Sequence, residues 1–448
     1  MTEERGKMDL IDAAPTKRLF IDILTRDISV KACILDLIDN SVDAYIRNEL
    51  TDRREIRLII CKDKFTIFDN CGGIEYNFLK DKVFRFGADL FETDSPTLGI
   101  YGIGLKRAIL KIGKKILMET DDGNSFCKID FDVNEWQKSD DWKIPFEYFE
   151  NSKLSPDEKP YTKIVVKDLH DNIKKKFDLD SFITDIKETI HITYTIFISN
   201  NIDFYVNDDN RIEPYILEAR YDERYSPVKS RDSIEGVDFE IVCFIDPIEG
   251  RAKRELGKRG WNIFCNKRLI LVEDTTETTG WTGSREDLPK YHSIYNEFRG
   301  AVFIESKDPS KLPLNTSKTG LDTETSVYNY ILNKMVITAR PLIDHLSRKY
   351  DEEKDTLDEI ENKVQKDELV EEGGLVGAKY VNLDQIEVGT EFKAPERPKP
   401  KIKMATIIYK KPEKIVKKLK ERFGVRSNTK VGEETFEYYI DTEEIEDD

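Results

Sequence analysis

The sequence predicts an α+β protein: a helix layer on a mixed sheet, then a smaller α+β domain, then a charged helical C-terminal region. Three observations carry this. Helical and strand-like patterns alternate over residues 10–215. A second alternation, rich in short apolar strands, occupies 216–345. Beyond it lie an amphipathic helix and linker (346–392) and a strongly charged end (393–448). The 448 residues leave room for this, since a domain takes about 100–200.

Composition narrows the class. Lys and Arg number 71 against 88 Asp and Glu, a net charge of −17, and charged residues make up 35%. That is polar for a globular enzyme, but 23 Phe and 19 Tyr supply enough aromatic bulk for cores, which argues against global disorder. Apolar runs such as Ile241–Ile245 and Ile407–Tyr409 fall far short of the ~18 residues of a membrane span. The N-terminal stretch lacks the apolar segment of a secretory signal. Cys33, Cys61, Cys71, Cys127, Cys243 and Cys265 form no C-x-x-C pair, and the four histidines lie far apart. Neither a zinc site nor a disulfide framework is expected. The expectation is a cytoplasmic protein with reduced thiols and no membrane association.

In the first block, Asp27–Leu50 carries apolar positions at helical spacing without Gly or Pro. Ile56–Cys61 and Phe65–Phe68 read as a hairpin. A Gly-bearing region, Cys71–Gly104, leads into a helix at Leu105–Lys111. Strands follow at Lys115–Thr120, Cys127–Phe131 and Lys163–Lys167. Phe182–Thr189 reads as helix, and His191–Ser199 and Phe204–Val206 as extended. In the second block, strands at Phe239–Ile245, Trp261–Cys265, Arg268–Val272 and Ala301–Glu305 precede a helix that starts near Thr325.

Ile343, Leu346, Tyr350, Leu357, Ile360 and Val364 then follow 3–4 spacing among charged faces. That is either a short coiled-coil seam or an amphipathic helix docked on a neighbour. Lys393–Lys430 holds 14 basic and 3 acidic residues with four prolines: a linker leading into a basic helix at Glu413–Phe423. The last eighteen residues hold nine acidic and no basic ones, so this tail can fold back on the basic segment electrostatically.

Three motifs carry the chemistry. In ILDLIDNSVDA (Ile34–Ala44), a helix puts Asp36, Asn40 and Asp43 on one face and Leu35, Ile38 and Val42 on another. A carboxylate one turn before an amide can hold a water and a divalent cation side by side, a geometry suited to metal-assisted hydrolysis. In FDNCGGI (Phe68–Ile74), an Asp at a strand end can accept a hydrogen bond from an exocyclic amine such as that of adenine. The two glycines would let the backbone approach a flat ring. In GIYGIGLKRA (Gly99–Ala108), glycines before a helix start give open amides for phosphate, and Lys106 adds charge. It is neither the Rossmann fingerprint nor a P-loop. Taken singly, the first two read more readily as a polar face and a turn, and the third is a weak signal.

Together, in this order and spacing, the three motifs resemble the GHKL ATPase superfamily, which includes DNA gyrase B, the ninety-kilodalton heat-shock chaperones, sensor histidine kinases and MutL. Over about residues 15–345 the chain is most similar to MutL- and MORC-type members, and Tyr101–Lys106 (YGIGLK) looks MORC-like. The resemblance implies a two-layer α/β sandwich of the Bergerat type, followed by a transducer domain. It implies Mg²⁺ on Asn40, the adenine amine on Asp69, Gly73 beneath the base, and an ATP lid over about residues 86–102. Thr162 resembles the Thr of the family's fourth motif, with Tyr161 in place of the usual Gly. The implied ATP-binding set is Asn40, Asp43, Asp69, Gly73, Ile74, Gly99, Tyr101, Gly102, Ile103, Gly104, Leu105, Lys106 and Thr162.

The general-base position holds Asp36 where the family has Glu, one methylene longer, with Asp39 as a reserve. CNKRLIL (Cys265–Leu271) resembles the N-x-R-L-I strand of the transducer. LNTSKTG (Leu314–Gly320) resembles the loop whose lysine, here Lys318, reaches the γ-phosphate. The two domains must close on each other for it to do so.

The function expected is an ATP-driven clamp, dimerising with ATP, with duplex DNA as a partner through Arg251–Arg259 and Lys393–Lys430. A chaperone-like ATPase and a nucleotide-gated interaction protein with little turnover are the other readings.

Overall fold

In the computed structural model the described residues are 16–86, 97–99, 102–139, 141–144, 146–215, 218–221, 226–246, 259–315, 318–362, 379–383, 386–393, 407 and 410–443. They fall into two compact units, Met1–Asp344 with Gly377–Lys393, and His345–Val376 with Ala394–Asp448.

The first unit opens with helices α1 (Lys17–Arg26) and α2 (Val30–Arg47) and strands β1 (Arg54–Cys61) and β2 (Lys64–Asp69). A short helix α3 (Tyr76–Phe78) runs into a π-helical turn at Leu79–Val83. Then come α4 (Gly104–Ile112), β3 (Gly113–Asp121), β4 (Ser125–Asp132), α5 (Val133–Lys138), β5 (Tyr148–Asn151) and β6 (Tyr161–Leu169). Helices α6 (Asp171–Phe177), α7 (Asp180–Thr193) and α8 (Thr195–Ser199) precede β7 (Ile202–Val206). The seven strands form one sheet in the order β5-β4-β3-β6-β2-β1-β7. All neighbours are antiparallel except β1 and β7. Alternate residues, Ile56, Leu58 and Ile60 on β1 and Ile116 and Met118 on β3, are buried in one core with α2, α4 and α7. Ile59, on the other face of β1, is 45% exposed. One helix layer on a mixed sheet is thus the observed arrangement.

Local sequence explains the central helix. The Ser29 hydroxyl caps α2 by accepting from Ala32 N. Ile34, Leu37, Ile38 and Val42 then bury one stripe. His191–Ser199, expected to be extended from its β-branched residues, is helical instead, in α7 and α8. Ile190, Tyr194 and Ile198 recur at four-residue spacing and are all fully buried, so tertiary packing overrides local strand preference.

The second part of this unit holds β8 (Glu218–Tyr221), β9 (Val228–Ile234), β10 (Val237–Ile245), β11 (Gly260–Cys265), β12 (Arg268–Asp274), β13 (Phe298–Glu305), the first half of α9 (Ser326–Asn362), whose residues from His345 belong to the second unit, and β14 (Lys379–Asn382). Five strands form a sheet in the order β12-β11-β13-β10-β9, with β11 and β13 parallel. Gly300 is fixed by this packing: a Cβ there would lie 2.3 Å from the Trp261 ring. The chain returns after α9 to pair β14 with β8, and Leu383 and Ile386 bury against Val242, Phe244 and Ala301. Ile343 and Leu346 on α9 are buried and Tyr350 is 43% exposed. The side chains of Leu357 and Ile360, and Val364 altogether, lie outside the described residues.

In the second unit the basic helix is α10 (Glu413–Phe423), and much of the acidic tail forms α11 (Asn428–Thr442). Among their described residues only Val431 is buried.

Candidate active site

Helix α2, the ends of β2 and β6, the start of α4 and the loop carrying Lys318 enclose a cavity of about 380 Å³. It has an apolar end and a charged end.

At the apolar end, Ile67, Met118 and Ile164 form a wall around Asp69 and Thr162. Asp69 is buried. Its Oδ2 accepts from Ser41 Oγ at 2.8 Å and its Oδ1 from Cys71 N at 3.0 Å. Burial pushes its carboxyl up to about 6, and those two bonds hold it from rising further. Thr120 Oγ1 donates to Tyr161 O and accepts from Ile74 N at 2.8 Å. The Thr162 hydroxyl, 3.1 Å away, therefore gives its hydrogen to Thr120 and keeps its acceptor lone pairs for the cavity.

Gly73 lines the cavity, and both adjacent glycines also have a reason within the protein. Gly73 has φ +67° and a Cβ would sit 2.2 Å from Asp121 O; Gly72 has φ +123° and a Cβ would meet Asn48 Nδ2 at 2.2 Å. Both are demanded by neighbouring protein atoms.

At the charged end, α4 points its N-terminus at the cavity, with Gly102, Ile103, Gly104 and Leu105 lining it. Its N-cap residue, Ile103, makes no side-chain capping bond. Among the described residues no side chain caps the first amides of the helix, which therefore face the cavity as donors, the arrangement that binds phosphate. Lys106 does not join them. It is buried, its Nζ donates to Arg85 O at 2.7 Å, and burial lowers its pKa to about 8. The cation that enters from this helix is Arg107, whose Nε donates to Asp36 Oδ2 at 2.7 Å.

Lys318 lines the same end. Its Nζ lies 2.8 Å from Asp39 Oδ2 and 3.9 Å from Asp36 Oδ1. Asp39 is fully buried and points away from the cavity, toward Arg268 Nε at 3.3 Å and the Tyr194 hydroxyl at 2.7 Å. Burial alone would raise its pKa, but Arg268 and Lys318 hold the carboxyl below the usual range. Arg268 also donates to Lys318 O at 3.2 Å. Lys318 has φ +53°, so its backbone is held in a region unusual for a non-glycine residue.

Between the ends, Asn40 leaves its amide accessible to the cavity. Asp43 is committed elsewhere: its oxygens accept from Leu98 N at 2.5 Å and Gly99 N at 2.8 Å. Burial pushes its carboxyl up to about 6. Asn266 Nδ2 donates to Thr97 O at 2.8 Å, so the second sheet and α2 grip the same short segment. Tyr101, most of the 86–102 stretch and all of Arg251–Arg259 except Arg259 lie outside the described residues.

Residues 28–165 match the family model described as Histidine kinase-, DNA gyrase B-, and HSP90-like ATPase. No curated protein matches the chain. The match supports the GHKL superfamily and, with it, ATP binding and ATP hydrolysis in general. It covers the cavity residues from Asp36 to Thr162 and excludes Lys318.

The residues present fit Mg-ATP. An apolar slot with one buried carboxylate suits a base, an uncapped helix start with Lys318 nearby suits a triphosphate, and the Asn40 amide oxygen between them suits a hard cation. Arg107 and Ser41 line the site without being singled out by the motifs, and Thr120 supports it through Thr162. Helix phase was the available signal for the first: Arg107 is three residues after Gly104 and shares its face, whereas Lys106 does not.

Among the described residues no helix is long and apolar enough to cross a membrane.

Proposed function

We propose that the chain is a Mg-dependent ATPase of the MutL and MORC kind that works as an ATP-gated clamp. Residues 10–215 act as its ATP-binding domain and 216–345 as its transducer. The observation that carries this is Lys318: it stands 279 residues after Asp39 in the chain, on a loop beyond the second sheet, yet lines the cavity beside Asp36. A cation supplied by a second domain at the phosphate end makes the domain contact depend on which nucleotide is bound.

In hydrolysis the water oxygen attacks the γ-phosphorus and its proton passes to Asp36 Oδ1. The bond from that phosphorus to the β,γ-bridging oxygen breaks, and its electron pair stays on ADP. Lys318 and the α4 amides stabilise charge on the transferring group. Asp69 and Thr162 orient the adenine, and apolar Ile67, Met118 and Ile164 exclude water from it. Mg²⁺, held by Asn40 and phosphate oxygens, would supply charge neutralisation.

The clamp reading includes ATP-dependent homodimerisation and action on duplex DNA through the basic segments. Turnover measured with and without duplex, at two salt concentrations, tests the partner: stimulation that disappears at high salt is the expected outcome. Small-angle scattering with a non-hydrolysable analogue and with ADP tests the clamp, since only the analogue carries the phosphate that Lys318 would pair with. Identical profiles would remove it. A nucleotide-gated interaction protein with little turnover is the second reading. It is favoured by the short side chain of Asp36 where the resembling family has Glu. Binding of ATP with no measurable turnover under any of these conditions would select it.

A further inference from the structure

Asp36 Oδ2 is taken by Arg107 Nε at 2.7 Å, while among the described residues the cation near Oδ1 is Lys318, at 3.9 Å. Both Asp36 and Arg107 are buried, and both line the cavity. Lys318 is nearer to Asp39 than to Asp36, so the cation that holds Asp36 is the one from α4. The same helix also sets the walls. A Cβ on Gly104 would lie 3.4 Å from Asp36 Cβ and 3.7 Å from Oδ1, so α4 packs its bare first residue against the carboxylate and reaches it again with Arg107 one turn on.

We propose that Arg107 is a positioning residue for ATP hydrolysis: by holding Oδ2 it aims Oδ1 of a short carboxylate at the attacking water. It also offsets the repulsion between that carboxylate and the terminal phosphate. A free Asp side chain rotates about two bonds, and an anion beside a triphosphate is pushed away from it. A guanidinium on one oxygen removes both problems and leaves the other oxygen to take a proton. The geometry also makes Arg107 distinct from Lys318. Lys318 is a cation for the phosphate, whereas Arg107 is a cation for the base. This inference rests on the reading of the cavity as an ATP site. The alternative it must beat is a strut, an ion pair that merely fixes α4 on α2.

The test measures affinity for a non-hydrolysable ATP analogue by calorimetry, steady-state turnover, and melting temperature. The proteins are wild type, Arg107→Ala, Arg107→Lys, Asp36→Asn and the Asp36→Asn/Arg107→Ala double variant. Arg107→Ala should bind the analogue within about threefold of wild type while kcat falls on the order of a hundredfold. Arg107→Lys should recover part of that loss, and the double variant should be no slower than Asp36→Asn alone. A strut would lower the melting temperature and leave kcat unchanged, which overturns the proposal. So would Arg107→Ala slowing the Asp36→Asn background by the factor it slows wild type. If the alanine variant does not fold, Arg107→Lys carries the test, and a kcat equal to wild type in a protein that melts early counts against positioning. A wild type that binds no analogue fails the site reading itself and removes this inference with it. Analogue binding with an unaffected Arg107→Ala turnover removes this inference alone.

Discussion

The two ends of the cavity solve the same problem, a buried carboxylate, in opposite ways. Asp39, at the charged end, is fully buried but ringed by Arg268, Lys318 and the Tyr194 hydroxyl, and its pKa is held low. Asp69, at the apolar end, is almost as buried and has no cation partner among the described residues. One serine hydroxyl and one backbone amide are its partners, and burial carries its pKa up to about 6. The first carboxylate belongs to the architecture: it ties α2 to the second sheet through β12 and to the loop of Lys318. The second lines the cavity, where its remaining lone pairs can accept from a ligand donor and its charge lacks compensation from the protein. Charge compensation therefore separates a structural acid from a binding acid better than burial does.

The largest effect expected from this contrast is on stability. Asp39→Ala should lower it by about 3–5 kcal/mol, because it strands Arg268 as a buried charge and removes the nearer partner of Lys318. Ser41→Ala removes one bond to Asp69 and should cost about 1–2 kcal/mol. Chemical denaturation of both variants measures the difference. Equal losses would mean that Asp39 is no more of a keystone than Asp69.

Next in size is an effect on ligand. Asn40→Ala should weaken Mg-ATP binding on the order of a hundredfold, about 2.7 kcal/mol, with little change in stability, since the Asn40 side chain is exposed to the cavity. The loss should shrink when binding is measured without Mg²⁺. An equal loss with and without the metal would show that Asn40 touches the nucleotide rather than the cation.

The contrast also explains what could be read in the sequence. Asp36 and Asn40 were legible because both sit on one helix, where spacing alone fixes the shared face. The second sheet was legible where its strands are continuous apolar runs, as in β10 and β11. It was not legible in β9, a half-exposed strand whose VKSRDSI sequence carries charge. The role of Asp39 was out of reach because its partners Tyr194 and Lys318 lie 155 and 279 residues away. The choice between Lys106 and Arg107 hangs on the phase at which α4 begins, and a one-residue error there reverses it. Asp43 belongs to the same class: its position on the helix face is visible in the sequence, but its service to Leu98 and Gly99 needs the loop to fold back.

The smallest effect expected is a pH dependence, and it bears directly on Asp69. Its carboxyl titrates near 6 in the folded chain, against roughly 3.9 for an unfolded Asp. A raised folded pKa means that its contribution to stability is fully present below about 4 and lost as pH rises through about 6. Ligand affinity should run the other way. An exocyclic amine donates to the ionised carboxylate, and a proton competes for the same lone pairs. Adenine-nucleotide affinity should therefore rise as pH rises through about 6, by at most about tenfold per unit, and level off above about 7. Asp43 titrates in the same range and would act in the same sense by loosening its grip on Leu98 and Gly99. Ser41→Ala separates the two, because Ser41 donates to Asp69 and not to Asp43. Without that hydroxyl the Asp69 pKa should climb further, and the midpoint of the affinity curve should move to higher pH. Calorimetric titration of adenosine, which carries no phosphate, across about pH 5 to 8 isolates the base end. A midpoint that stays in place in Ser41→Ala would assign the titration to Asp43, and the apolar end would then lose its claim to hold the binding acid.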